Sequence, residues 1–309
     1  MKEKTFFRNI SEFLGPKENR YFSNGYKAME IFYEDITQID ESLITSIQVM
    51  TGSSWSKKNG KNMVPHLGTT EIISISAIMS QHLLERQMHL NSDEIERAWI
   101  SRFKCKIRQR TDINQNQIPV SGKIILTESF NDFFQSQILV QIGTLRVTLY
   151  VCHPPAGSSN SSIKDTGSIN LYYKGYKLRD HSINDVVLDS VNKTSSGTVT
   201  LYEANVKKNG IGAGYPGMML TDFILVSGQL AQALLCNING NIRENSNNMW
   251  LREVDILSEI PPKEKISKSE VTFQNVDNVE VDNETWQYVI MTCSLCNMFL
   301  RAKLAQKYK

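Results

Sequence analysis

Two stretches of sequence decide the fold: Thr69-Thr-Glu-Ile-Ile-Ser-Ile-Ser-Ala-Ile-Met-Ser-Gln-His-Leu-Leu84 and Leu220-Thr-Asp-Phe-Ile-Leu-Val-Ser-Gly-Gln-Leu-Ala-Gln-Ala-Leu-Leu235. They predict helices over residues 69–88 and 218–237, and apolar residues cover nearly the whole circumference of each. A helix that is apolar all round has to be buried on most sides. With one helix and about five strands in each half, an antiparallel sheet curled around the helix achieves this burial. That arrangement is the hot-dog architecture.

The chain also contains a duplicated unit. The matched blocks are Gly-Tyr-Lys at 25–27 and 175–177, Lys-Lys-Asn-Gly at 57–60 and 207–210, Thr-Glu at 70–71 with Thr-Asp at 221–222, and Trp99 with Trp250. The blocks keep their order, with an offset of 150 residues that becomes 151 after one slip. The sequence therefore predicts two copies of one fold. We place the first domain at residues 1–152, a linker of small and turn-forming residues at 153–167, and the second domain at 168–309.

Around each helix the sequence has the pattern of antiparallel strands. From Trp99 onward apolar and basic residues alternate, which is typical of a strand with one buried face. Residues 286–300 are predicted as one strand. We therefore predict an α+β fold, a tandem double hot-dog in which two long buried helices are each wrapped by a curved antiparallel sheet. The two copies would pair about a pseudo-twofold axis and join their sheets. A monomeric pseudo-dimer and a homodimer both remain open.

The composition excludes several classes of partner. The 309 residues carry 34 Lys and Arg against 32 Asp and Glu, so a net charge of +2 gives no general attraction to nucleic acid or to an anionic membrane. With no run resembling a signal peptide or a membrane helix, we expect a cytoplasmic protein. The five scattered cysteines fit buried thiols better than disulfides or a zinc site, so no metal and no cofactor are predicted.

Both repeats place a carboxylate in the first turn of the buried helix, Glu71 and Asp222. Acids are common at helix N-termini because they offset the macrodipole and the free amides. Burying a carboxylate is nevertheless costly without a partner or a task, so we predict a catalytic role for at least one of the two. His66 stands five residues before Glu71, where the second half has Gly217, and is predicted to assist as an acid or base.

The two helix entrances supply the candidates for substrate binding. Free backbone amides there can polarise a thioester or keto oxygen. The Lys-Lys-Asn-Gly loops just before each entrance are either simple turns or contribute a lysine to the substrate. The predicted substrate-binding residues are Leu67, Gly217, Met218, Lys58 and Lys208.

The basic face of the strand that begins at Trp99 has two interpretations. Arg102, Lys104 and Lys106 point to the same side of this strand. Such a face is most often simply solvated. Its functional interpretation is a docking surface for something acidic, such as an acyl carrier protein.

The motifs around both helix entrances resemble the avirulence D, or syringolide synthase, family of bacterial proteins. The resemblance lies in Pro65-His66-Leu67 leading to Thr70-Glu71, and in Leu-Thr-Asp-Phe at 220–223 leading to Val-Ser-Gly-Gln-Leu-Ala-Gln at 226–232. It spans most of the chain. That family is related to the A-factor synthase and to the β-hydroxyacyl carrier protein dehydratases, in which a Pro-Gly pair precedes a catalytic acid, as Pro216-Gly217 precedes Asp222 here.

The resemblance implies an enzyme that takes a β-ketoacyl group from a thioester of acyl carrier protein or coenzyme A. The group would be joined to a keto-sugar such as xylulose, and an intramolecular condensation would give a butenolide signal lipid of the syringolide type. The histidine that partners the acid from the preceding loop in the dehydratases is absent from that loop, where Lys57-Lys58 and Lys207-Lys208 stand instead. Dehydration alone is therefore in doubt, whereas aldol-type condensation remains compatible.

Two alternative functions stay open at this point. One is a thioesterase, hydratase or dehydratase that acts on acyl thioesters without a sugar. The other is a non-catalytic protein that binds an acyl ligand.

Overall fold

The computed structural model describes residues 4–52, 55–107, 117–158, 167–261 and 263–308. In the first half its elements are β1 (Thr5–Asn9), α1 (Ser11–Leu14), β2 (Met29–Tyr33), β3 (Thr37–Ile39), β4 (Ser42–Thr51), β5 (Lys57–Lys58), β6 (Lys61–Asn62), α2 (Thr69–Gln87), α3 (Ser92–Glu96), β7 (Trp99–Lys106), β8 (Ile118–Phe130), β9 (Phe133–Ile142) and β10 (Leu145–His153). In the second half they are β11 (Ile169–Asn170), β12 (Arg179–Asp189), β13 (Thr194–Glu203), β14 (Lys208–Asn209), α4 (Leu220–Ile238), β15 (Met249–Ser258), β16 (Ile266–Val281), β17 (Glu284–Leu295) and β18 (Met298–Lys307).

Most of the described strands belong to one large antiparallel sheet. Its order is β1-β12-β13-β16-β17-β18-β15-β7-β10-β9-β8-β4-β2, and β3 also pairs with β4. β5 and β6 form a small hairpin, and β11 pairs with β14 in parallel. Long-range pairing therefore joins both halves into a continuous sheet.

The two halves meet where β7 pairs with β15. In this register Lys104 lies opposite Asp255, which is its own counterpart in the repeat, at the offset of 151 residues. The neighbouring pairs are arranged symmetrically about that point, with Phe103 opposite Ile256 and Cys105 opposite Val254. The halves are therefore related by an approximate twofold axis through this pair of strands.

The two long helices lie against the sheet and against each other. Both have 19 residues and begin 151 residues apart. α2 packs on β4, β8, β9 and β10, whereas α4 packs on β12, β13 and β16. Most of their residues are buried, on all sides of each helix. This is the antiparallel α+β organisation that the apolar helices predict.

Two features of the fold differ from the sequence prediction. Residues 286–300 form parts of β17 and β18 rather than one strand, because the chain turns at Cys296, whose φ is 53°. β1 lies within the predicted first domain but pairs with β12 of the second half, with Thr5 opposite Leu188. The domain boundaries stay a prediction, and residues 159–166 of the predicted linker lie outside the described residues.

Candidate active site

A cavity of about 140 Å³ lies at the N-terminal entrance of α2, with walls from both halves. The side of the cavity at the helix entrance is formed by Tyr21, His66, Leu67, Gly68 and Thr69. A polar part of its lining consists of Ser56, Lys58, Arg243 and Asn248. An apolar wall consists of Ile224, Ala231, Met291, Leu300, Ala302 and Leu304. The cavity thus combines an apolar surface with a small set of polar groups, which is the usual make-up of a small-molecule site. Leu67 and Lys58, which are predicted to bind substrate, and His66, which is predicted to assist catalysis, all line this cavity.

Glu71 lies directly behind this entrance and is fully buried. Its Oε2 accepts a hydrogen bond of 2.5 Å from the Tyr21 hydroxyl and one of 3.0 Å from the Gly68 amide. Its Oε1 is buried and has no hydrogen-bond partner among the described residues. Burial raises the pKa of Glu71 to about 7, although the bonds from Tyr21 and Gly68 lower it in part. This carboxyl can therefore gain or lose a proton near neutral pH.

The close approach of Tyr21 to Glu71 depends on Gly68. A Cβ at position 68 would lie 2.1 Å from the Tyr21 hydroxyl oxygen and 2.7 Å from Glu71 Oε2. The repeat counterpart of Gly68 is Met219, so the second half has a side chain where the first half has none. The first entrance therefore holds a tyrosine in a position that the second entrance does not provide.

We expect Gly68→Ala to separate Tyr21 from Glu71 and to destabilise the fold by about 1–3 kcal/mol, because the new methyl overlaps both groups. Urea unfolding measures this loss. Gly52→Ala is the control, since a Cβ there would meet Ala28 Cβ at an ordinary 3.4 Å. Equal stability of the two variants would show that Tyr21 is not held against Glu71 in this way.

His66 lies in a group of aromatic rings on the cavity wall. Its ring centroid is 4.8 Å from that of Trp55 and 4.9 Å from that of Trp250, and Trp55 in turn is 5.2 Å from Tyr21. The structure thus brings His66 and Tyr21 to one cavity and places Glu71 behind it. His66 lines this cavity, and its role as an acid or base stays a prediction.

Asp222, the counterpart of Glu71, has a different environment. Its carboxylate accepts hydrogen bonds from Arg179 Nη2 at 2.7 Å, from the Met219 amide at 2.7 Å and, at 2.8 Å, from a ring N–H of His181. Burial by itself would raise the pKa of Asp222, but the Arg179 charge and the His181 contact lower it well below its usual range. A carboxylate held charged by so many donors is a poor proton carrier, which argues against the catalytic role that the sequence gives to Asp222.

The second helix entrance is also nearly closed. The cavity there measures only about 20 Å³, and Trp99, Tyr172 and Tyr215 are among the side chains around it. Gly217 accepts a 2.7 Å hydrogen bond from Arg179 Nη2 through its carbonyl oxygen, and Met218 is fully buried. The predicted substrate contacts of Gly217 and Met218 therefore lie away from the larger cavity.

Lys208 also lies away from the larger cavity, unlike its counterpart Lys58. Its ammonium forms an ion pair with Glu203, which also binds Arg179. Lys58 lines the larger cavity and donates to two carbonyl oxygens instead. Of the two predicted lysines, the structure brings only Lys58 to that cavity.

The predicted carrier-binding face is occupied by acidic partners. Arg102 makes two hydrogen bonds of 2.8 and 2.9 Å to Asp255, Lys104 lies 3.8 Å from the same carboxylate, and Lys106 lies 3.8 Å from Glu253. Both acids come from β15, the strand that pairs with β7. The acids offset part of the positive charge of this face, while the Lys106 side chain stays largely exposed, so carrier docking here remains a prediction.

Sequence reasoning missed Tyr21, Arg179, His181 and Arg243. The first three lie close to the matching Gly-Tyr-Lys blocks of the two repeats, at positions where the halves differ: Tyr21 corresponds to Leu171, Arg179 to Met29 and His181 to Ile31. Differences between the repeats, rather than their matches, would have indicated these residues. Arg243 also differs from its counterpart, Ser92, but lies outside these blocks.

Two further findings concern the described residues as a group. None of their helices has the length and apolar character needed to cross a membrane. Within the same ranges, no cluster of three or more His, Cys, Asp or Glu side chains is placed to hold a metal ion.

The fold is a two-repeat antiparallel α+β structure, and the larger of the two cavities at the helix entrances lies at that of α2. The chain belongs to the family of the Pseudomonas avirulence D protein (AvrD), whose model matches residues 4–307. This confirms the resemblance indicated by the sequence. No curated protein matches the chain.

The chain is also similar to several solved structures. The tesB protein of Mycobacterium avium subs paratuberculosis has 7% identity and a TM-score of 0.40, with 88% of this chain and 95% of that chain covered. The acyl-CoA thioesterase II TesB2 of Mycobacterium marinum has 6% identity and a TM-score of 0.39, covering 89% and 95%. The CurJ dehydratase has 9% identity and a TM-score of 0.41, covering 90% and 96%.

Proposed function

We propose that this protein is an enzyme of double hot-dog architecture that condenses a β-ketoacyl thioester with a keto-sugar such as xylulose to give a butenolide. The thioester would be carried by acyl carrier protein or coenzyme A. The observation that carries the proposal is Glu71, a buried carboxyl with a pKa raised by burial to about 7, bound to a tyrosine that lines a cavity with an apolar wall. Membership of the AvrD family supports the same choice of substrates.

Tyr21 connects Glu71 to the cavity. Tyr21 is a lining residue, and its hydroxyl proton points to Glu71 Oε2. Burial and the neighbouring Glu71 raise the pKa of Tyr21 well above its ordinary value, so the phenol stays neutral. When the phenol oxygen accepts a proton from the substrate, its own proton can pass to the carboxylate. Glu71 thus acts as the base through Tyr21, and the reverse transfer delivers a proton to an alkoxide.

The reaction needs two bond-forming steps. In the first, a sugar hydroxyl attacks the thioester carbonyl, the C–S bond breaks, and the thiol leaves with the hydroxyl proton. In the second, the carbon between the two carbonyls of the new ester loses a proton to the Tyr21–Glu71 pair and attacks the sugar ketone. The resulting alkoxide takes up a proton, and loss of water forms the ring double bond.

The remaining groups of the cavity bind and orient the substrates. The apolar wall formed largely by α4, β17 and β18 can hold the acyl chain, since burying each CH₂ contributes about 0.8 kcal/mol. The backbone amides at the start of α2 can polarise the keto or thioester oxygen. His66, whose ring packs against those of Trp55 and Trp250, would assist proton transfer at the sugar.

We expect the purified protein to convert β-ketooctanoyl thioester and xylulose into a butenolide that mass spectrometry detects. Glu71→Gln should slow product formation by at least about 100-fold, because the amide cannot accept the proton. The exposed Glu41→Gln serves as the control with the same change in charge. Full activity of Glu71→Gln would exclude this site, and free acid formed from the thioester alone would indicate the hydrolase instead.

A further inference from the structure

Three cationic side chains lie close together at the polar part of the cavity: Arg20, Lys58 and Arg243. Their exposed fractions are only 2%, 8% and 3%. Lys58 and Arg243 line the cavity, and Arg20 lies near enough to Arg243 for the two charges to repel. Burying a charge costs free energy unless an opposite charge pairs with it. The number of carboxylates near these three cations therefore decides whether their charge is balanced.

Arg243 has one donor that nothing in the described chain accepts. Its Nη1 donates to the Lys57 carbonyl and to Glu244, both at 2.9 Å, and its Nη2 donates to the Asn19 carbonyl at 2.7 Å and to Ser56. Its Nε is buried without a hydrogen-bond partner among the described residues. An unpaired N–H on a buried guanidinium costs free energy that an acceptor on a ligand would recover.

Trp55 adds a second donor of the same kind. Its ring lines the cavity and is almost fully buried, and its Nε1 also has no hydrogen-bond partner among the described residues. Ser56, which follows it in the chain, accepts a bond from Arg243. The unmatched atoms of Arg243 and Trp55 are N–H donors, as is the buried Nε of Arg20, so the complementary ligand group is an acceptor.

Lys58 is charged without a carboxylate of its own. Its ammonium donates to the carbonyl oxygens of Ser246 at 2.7 Å and Asn247 at 3.1 Å. Burial, together with the charge of Arg243, lowers the pKa of Lys58 to about 8. Glu244 is the only described carboxylate that forms an ion pair with any of these three cations, and its partner is Arg243. This part of the cavity therefore has an excess of positive charge.

We propose that Lys58, Arg243 and Trp55 form a binding subsite for an oxyanion of phosphate-monoester chemistry. The dianion supplies the acceptors that the unmatched N–H groups of Arg243 and Trp55 lack and the negative charge that the cations lack. If the proposed condensation is the reaction of this cavity, the subsite specifies a phosphorylated partner: either a ketose phosphate as the acceptor or the phosphopantetheine arm of the acyl donor. The oxyanion site itself does not depend on that reaction.

The test is calorimetric titration of the full chain with inorganic phosphate, which needs no turnover. We expect wild-type protein to bind phosphate and Lys58→Gln to bind it about 10- to 100-fold more weakly, as the loss of a charged hydrogen bond predicts. Trp55→Phe, which keeps an aromatic ring at this position and removes the indole N–H, should also weaken binding. Lys61→Gln is the matched control, because Lys61 lies on the same hairpin, is exposed and carries the same charge.

Competition identifies the source of the phosphate. Displacement of phosphate by xylulose 5-phosphate, but not by xylulose, assigns the subsite to the acceptor. Displacement by phosphopantetheine, but not by pantetheine, assigns it to the donor. The proposal is overturned if wild-type protein does not bind phosphate, if Lys58→Gln and Trp55→Phe bind it as tightly as Lys61→Gln, or if neither organic phosphate competes. Phosphate binding without condensation would leave the subsite in place and refute only the proposed reaction.

Discussion

Replacing Arg179 by Met is expected to lower the free energy of unfolding by about 3–5 kcal/mol, because the substitution leaves the Asp222 carboxylate buried without its charged partner. Met is the residue that the first half has at the corresponding position, Met29, where the side chain is also buried. The size of the effect therefore reports the lost charge rather than a lost volume. Urea unfolding at pH 7 measures it.

The double variant Arg179→Met with Asp222→Asn separates charge from packing. Since the neutral amide needs no counter-charge, the double variant should recover a large part of the stability that Arg179→Met loses. Lys265→Met is a control on the same ion network, because Lys265 is about half exposed and only reaches Glu203. A loss below about 0.5 kcal/mol for Arg179→Met would mean that the ion pair does not hold Asp222 in its charged form.

The second large effect is a dependence of stability on pH that comes from Glu71. The folded-state pKa of Glu71 is about 7 against an ordinary value of 4.5, so its contribution to stability is fully present below about pH 4.5 and is lost as the pH rises through 7. The shift corresponds to about 3 kcal/mol. We expect Glu71→Gln to abolish this loss, so that the variant is more stable than wild type at pH 8.

Urea unfolding of both proteins at pH 5 and pH 8 measures this difference, with Glu41→Gln as the exposed control. If wild type and Glu71→Gln change in parallel with pH, the carboxyl does not titrate near neutrality and cannot serve as the base. Activity should show the opposite trend, because a base must be deprotonated: it should rise with pH through about 7 while stability falls. Such a conflict between function and stability is common at active sites.

The helices and most strands could be predicted because their signals are local. The apolar circumference of α2 and the alternation that begins at Trp99 depend only on neighbouring residues. The pairing of β1 with β12 could not be predicted. β1 is a strand of only five residues, and its sequence does not indicate a partner about 180 positions away. The turn at Cys296 was missed because apolar residues continue on both sides of it.

The candidate site could be predicted only in part, because local sequence patterns identify the two acids but not the distant residues that bind them. The repeat identifies Glu71 and Asp222 as equivalent, and both accept the amide hydrogen bond of a helix cap. What separates them is Tyr21 on one and Arg179 on the other, residues 50 and 43 positions away in the chain. Their different proton affinities arise from these distant partners, which local sequence patterns do not contain.

The pair Lys104 and Asp255 at the approximate twofold axis has a consequence for how the two repeats recognise each other. In a dimer of identical chains, the residue on the axis faces its own copy, so a lysine there would face a lysine and an aspartate an aspartate. Once the repeats are fused, the two positions can diverge to opposite charges, and Arg102 adds two hydrogen bonds to the same acid. Like charges at this position would repel, so the opposite charges favour pairing between the two different repeats over pairing between two copies of one repeat.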